Sequence, residues 1–276
     1  MKTLVKILSL LAIVVCATAC EKSGELKQNK DRVFSVSTRD KVLFAPGNLQ
    51  FLASEGEWRF AEKQYDIIGE GNTQIGESAT TWIDLFGWGA TGAEDIQPWD
   101  TQSDYEHYIP TVKDIAGTER DWGIRTSNGF FGGDAWYTLS REEWDFILNK
   151  RPNAKKLYSR ARVAGTNGLL LLPDKWKQPT GLHFTPTATT FAVNNYSTTE
   201  WEQLENIGAV FLPNAGIRKG QAEPNWTSSA GSYWTSSVAG DYDCYAYELQ
   251  ISDEVVRIVE TDPSVGRAVR LARKIK

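Results

Sequence analysis

Histidine is nearly missing from this chain: His107 and His183 are the only two, and neither has the spacing of a zinc site. A basic excess is missing too. The formal charge of -5 and the pI near 5.3 give no positive field for phosphates, which argues against a nucleic-acid partner. No G-x-S-x-G elbow and no phosphate-binding loop occurs, so the usual signatures of serine hydrolases and nucleotide enzymes are absent. No cofactor is expected. The chain is instead rich in large rings, with 11 Trp, 10 Tyr and 11 Phe, which bury much area in sheets and binding clefts. Its hydrophobic content of 41% suits a soluble domain rather than a multi-span membrane protein.

The first residues read as a targeting segment. Lys2 and Lys6 flank the start of "ILSLLAIVVC", an apolar run too short to cross a bilayer as a helix. It is followed by "ATAC", with small Ala17 and Ala19 ahead of Cys20. This resembles the lipobox of bacterial lipoproteins, although Ala17 stands where leucine is usual. The resemblance implies a signal peptide over 1–19, lipidation of Cys20 and delivery to the outer membrane, on its surface or periplasmic face. An ordinary signal peptide cut near Ala19 is the simpler alternative. Of the three cysteines, Cys16 would be removed and Cys20 used as anchor, leaving Cys244 alone. A lone thiol cannot form an internal disulfide, so the fold must rest on its core.

The segment 20–31 contains "EKSGELKQNKD", which is polar, free of aromatic residues and without periodicity, as a tether would be. From residue 32 to 276 the texture is that of one folded domain. "VFSVS", "KVLFA", "LQFLA" and "WRFAE" have strand-like composition, and "GLLLLPD" and "AVFLP" read as short buried strands. Two helices are signalled. Ser140 and Glu143 form a capping-box spacing ahead of Trp144, Ile147 and Leu148, with Pro152 beyond the end. Ser197 and Glu200 repeat that spacing ahead of Trp201 and Leu204, and Gly208 supplies the stop. Residues 66–136 read as long loop pinned by tryptophans. The expected fold class is α+β.

Several segments resemble a known family. "FSVSTRDKVLFAPGNLQF", "WRFAEKQYDIIG", "WIDLFGWGATG", "NGLLLLPDKW" and "GAVFLPNAGIR" are similar to secreted lipoproteins of Bacteroides-type bacteria. The tail, "GSYWTSS", "AYELQI" and "GRAVRLAR", resembles the Fibrobacter succinogenes major paralogous domain. That family is similar to C-type-lectin-like folds, which also include sulfatase-modifying enzymes and the variable ligand-binding proteins of diversity-generating retroelements. The resemblance implies paired N- and C-terminal strands, short antiparallel sheets, two main helices, long ordered loops and a ligand face near the last strands. It also implies that Arg218 and Arg270 pair within the fold.

In the tail, alternation along "CYAYELQI" puts Tyr245, Tyr247, Leu249 and Ile251 on one face, expected to be core. Tyr233 and Trp234 are expected to be structural as well. The candidate ligand-binding residues are then Asp241, Tyr242, Asp243, Glu248, Gln250 and Arg257. An enzyme of the sulfatase-modifying type would resemble this stretch through C-Y-x-Y-x-C. Here Cys244 fills the first position and Leu249 the second, so the paired thiols needed for copper or exchange chemistry are not supplied. "EPN", Glu223 to Asn225, resembles the sugar-binding motif of calcium lectins, but a hard cation wants six to eight oxygens and a turn at Pro224 is simpler. The acid-rich loops raise a glycosidase-like carboxylate pair, for which a solvated loop is the commoner account. The expectation is a non-enzymatic lipoprotein binding a glycan or protein, with a purely structural or adhesive protein as the alternative and an enzyme of the sulfatase-modifying type third.

Overall fold

A computed structural model describes residues 31–101, 114–127, 135–220, 229–239 and 245–275. Apolar "KVLF" forms β2 (Lys41–Phe44), and it is paired with a strand from the other end of the chain, β14 (Leu271–Lys274). The pairing is antiparallel, Phe44 opposite Ala272 and Val42 opposite Lys274. β1 (Phe34–Ser35) and β6 (Trp136–Thr138) complete this sheet in the order β1-β2-β14-β6.

Among the described residues there are three further small sheets. The hairpin β3 (Leu49–Leu52) and β4 (Glu57–Phe60) carries β5 (Trp82–Ile83) on its other side. A second hairpin joins β7 (Tyr158–Val163) to β8 (Thr166–Leu171) through Ala164 and Gly165, both at positive φ as a tight two-residue turn requires. β9 (Asn195–Tyr196) lies parallel to β7, and β10 (Val210–Pro213) lies antiparallel to β8. The run Leu169 to Leu172 is fully buried, as a continuous apolar strand should be. The last sheet is β11 (Ala230–Ala239), β12 (Tyr245–Ser252) and β13 (Val256–Thr261), with β12 in the middle.

Both expected helices form on their capping boxes. In α2 (Arg141–Asp145), Ser140 accepts from the Glu143 backbone while Glu143 accepts from that of Ser140. The helix widens into a π turn over Phe146–Lys150, which keeps Trp144, Ile147 and Leu148 in the core with Phe34 and Phe44. In α3 (Thr198–Asn206), Ser197 and Glu200 make the same box, and Trp201 and Leu204 are buried. Gly208 lies at φ 95°, and a Cβ there would sit 2.7 Å from the Arg32 side chain, so glycine is required for both reasons.

The sequence did not signal α1 (Trp122–Ser127). Its second residue is Gly123, a poor helix former, and a Cβ there would meet the Trp136 carbonyl oxygen at 2.2 Å. Close packing of α1 on β6 therefore decides that glycine. The surrounding loop is held by its rings: Trp88 Nε1 donates to the Thr235 carbonyl (2.8 Å), and Trp122 Nε1 to that of Ala90 (3.1 Å). The protein is thus α+β, built from several small, mainly antiparallel sheets and few helices. Among the described residues no helix is long and apolar enough to cross a membrane.

Candidate functional site

β12 has protein on both sides. Leu249 and Ile251 enter the core shared with α2, together with Tyr233, while Ala246 enters an aromatic cluster with Trp234, Trp88 and Trp122. The expectation for Tyr233 and Trp234 holds, at 0% and 1% exposure. Two expectations need correction. Tyr245, placed in the core by alternation, is 51% exposed at the start of the strand. Glu248, placed on an open face, is 3% exposed. Alternation separates two faces but cannot say that one is open, and here a second cluster covers the other.

Glu248 has a structural partner. Its carboxylate accepts from Arg267 Nε, and the same guanidinium donates to the carbonyls of Asp262 (3.1 Å) and Val265 (2.8 Å). It also lies 4.6 Å from the centre of the Trp234 ring. Burial pulls the Arg267 pKa down, and Glu248 opposes that shift. A buried cation so enclosed needs its counter-ion, and Glu248 supplies it.

Gln250 and Arg257 are brought together at the sheet edge. They are register partners on β12 and β13, and Arg257 Nε donates to Gln250 Oε1 at 3.0 Å. Arg257 also lines a groove of about 400 Å³ between α2 with its π turn and β13. Leu148, Val256 and Ile258 supply apolar lining, and Arg141, Glu142, Asp145 and Lys150 supply charge. Lys150 Nζ lies 2.6 Å from Asp145, whose carboxyl it holds below its usual range. Arg141 sits 4.4 Å over the ring of Tyr247, which donates to Glu260 Oε1 (3.1 Å). The groove therefore alternates sign, with three cations against two anions in its lining. Sequence reasoning found Arg257 and missed the helix wall. The exposed residues of α2 were visible as its polar face, but nothing local says that β13 lies alongside.

Asp241, Tyr242 and Asp243 lie outside the described residues, as do Cys244, Glu223, Asn225 and the proposed anchor Cys20. Among the described residues no cluster of three or more His, Cys, Asp or Glu side chains could hold a metal ion. The arginines assigned to the fold by resemblance are buried hubs. Arg218 donates to the carbonyls of Leu85 (2.7 Å) and Trp99 (2.9 Å) and to Thr101 Oγ1 (2.8 Å). Arg270 donates to Asn48, Gln64 and the carbonyls of Ala45 and Phe211.

Two buried carboxylates hold loops. Asp84 accepts from Asn72 Nδ2 (2.7 Å) and the Ile68 amide (3.1 Å). Asp121 accepts through Oδ1 from the Thr138 amide and hydroxyl and the Gly123 amide. Burial pushes both pKa values up to about 6. Neither carboxylate is exposed to solvent, so neither is placed to meet a substrate.

No protein-family model matches the chain, and no curated protein or solved structure is detectably similar to it.

Proposed function

We propose that the chain is a lipoprotein anchored in the outer membrane through Cys20, whose C-type-lectin-like domain binds a partner without transforming it. The observation that carries this reading is the groove between α2 and β13. It is open, has a mainly polar lining with Leu148, Val256 and Ile258 as its apolar part, presents charges of both signs and is walled by a pre-formed helix and strand. Close alternation of Arg141, Glu142, Asp145, Lys150 and Arg257 favours a polypeptide ligand over a neutral sugar, because complementary charge pairs give orientation and partner choice. The exposed ring of Tyr245 stands at the start of the neighbouring strand. A glycan ligand is the second form of the same reading.

Support for the lectin-like assignment comes from the pairing of β2 with β14 and from α2 and α3, each opened by a capping box. That is the layout the resemblance implies. A non-enzymatic role is supported by Leu249 at the second thiol position and by the structural use of Asp84, Asp121 and Glu248.

The test is binding of the full chain to a panel of host and bacterial surface proteins and to a glycan array. Capture of a protein that weakens about tenfold on Arg257→Glu, and is indifferent to chelator, is the expected result. Loss of binding on chelation would replace this reading with a calcium lectin. Silence on both panels would favour a structural or adhesive protein, and turnover of a cysteine-containing peptide would restore the enzyme. Cys20→Ser should abolish lipid labelling, and protease shaving of intact cells reads which face the domain occupies.

A further inference from the structure

A second cleft, sharing no residue with the groove, opens between the β3–β4 hairpin, the loop after Trp88 and α1. Its volume is about 350 Å³, within the range of small-ligand sites, which begins at about 300 Å³. Phe51, Trp58 and Pro98 form an apolar wall, with the first two rings 4.5 Å apart. The other end is polar and centred on Gly92. A Cβ at Gly92 would lie 3.8 Å from Arg125 Nη2, 3.8 Å from Gln97 Oε1 and 4.0 Å from Pro98 Cδ. A guanidinium, a carboxamide and a ring edge thus converge on one open spot.

These groups are held in place yet uncommitted. The loop is tied by Gly92 N to the Ile96 carbonyl (2.8 Å), by Gln97 N to Asp100 (2.8 Å) and by Thr91 Oγ1 to the Glu119 carbonyl (2.8 Å). The side-chain amide of Gln97 makes no hydrogen bond among the described residues. The Arg125 side chain is 44% exposed, and its ion pair with Glu119 spans 3.9 Å, longer than a hydrogen bond. A planar guanidinium with open donors takes a carboxylate by two parallel hydrogen bonds. An aromatic wall beside it takes the apolar face of a compact ring.

We propose that this cleft binds an acidic sugar, a uronic acid residue, whose carboxylate displaces Glu119 from Arg125. Gln97 then bonds a ring hydroxyl, and the ring rests against Trp58 and Pro98. This site stands independently of the groove beside β13.

The experiment titrates the full chain with methyl galacturonoside, methyl galactoside and an acetylated acidic dipeptide, read by ligand-observed NMR. The uronoside should bind, with the neutral galactoside and the dipeptide each at least about tenfold weaker. Arg125→Met should weaken uronoside binding about tenfold, Glu119→Gln should strengthen it, and Arg257→Glu should leave it unchanged. Thermal melts check that each variant folds, and Gln97→Leu provides a second loss variant. Equal binding of uronoside and galactoside, no uronoside binding, preference for the dipeptide, or indifference to both Arg125→Met and Gln97→Leu would overturn the proposal.

Discussion

Glu248 and Gln250 lie on the same side of β12, two residues apart, yet one is a sealed ion and the other an open contact. Glu248 is opposite Trp234 and pairs with Arg267 inside the protein. Gln250 is opposite Arg257, which lines a groove. The difference teaches that a charged residue in a strand is a binding candidate only where the neighbouring layer stops. Within a short distance along one strand, pairing passes from a buried ion pair to an exposed side-chain contact.

Breaking the sealed pair should have the largest effect. Glu248→Gln leaves Arg267 buried with its charge uncompensated, and the expected loss is about 3–5 kcal/mol, measured by denaturant unfolding. A loss under about 1 kcal/mol would mean that the cation reaches water, and the contrast between the two positions would fail.

Buried carboxylates whose charge is opposed mainly by burial should behave in the opposite sense. Burial raises Asp121 and Asp84 to about 6 when folded, against an ordinary value of 3.8, so the fold takes up protons that the unfolded chain does not hold. Their contribution therefore rises as pH falls from 7 through 6 and levels off near 4, by about 2–3 kcal/mol for each group. Asp145, held low by Lys150, acts in the other direction and only at lower pH. Asp121→Asn keeps the Oδ1 acceptor and removes the buried charge, so unfolding measured across this range should lose part of its slope and gain stability at pH 7. A steeper slope in the variant would contradict the assignment.

The capping boxes allow a smaller and cleaner comparison. Ser140→Ala and Ser197→Ala should each cost about 1 kcal/mol, read from melting curves. Loss of the α2 cap should also disturb the groove, whereas loss of the α3 cap should leave ligand binding unchanged. The smallest effect on stability belongs to the open pair: Arg257→Ala should change it by less than about 0.5 kcal/mol while weakening ligand capture, by less than Arg257→Glu does. A destabilisation comparable to that of Glu248→Gln would erase the distinction.

Much of the scaffold was legible because its signals are local. A capping box satisfies backbone donors within one turn, so Ser140 with Glu143 and Ser197 with Glu200 announced both helix starts directly. The Leu169–Leu172 run announced a buried strand by composition alone. α1 was not legible, since Gly123 argues against a helix until the Trp136 backbone is seen against it. Of the candidate ligand residues, Arg257 and Gln250 came together as register partners in an exposed contact, Arg257 also lines the groove, and Glu248 is buried in the fold. The cleft at Gly92 had no signal at all, since Arg125 and Gln97 are distant in sequence and ordinary in type.

By itself, then, the sequence determined where the two capped helices start and that the Leu169–Leu172 run is buried, because caps, turns and apolar runs act between near neighbours. Only the tertiary structure decided which side of β12 meets solvent, which arginines are enclosed and which side chains share a cleft. Those outcomes depend on contacts between segments as remote as β2 and β14, and no residue's own chemistry specifies what will be packed across from it.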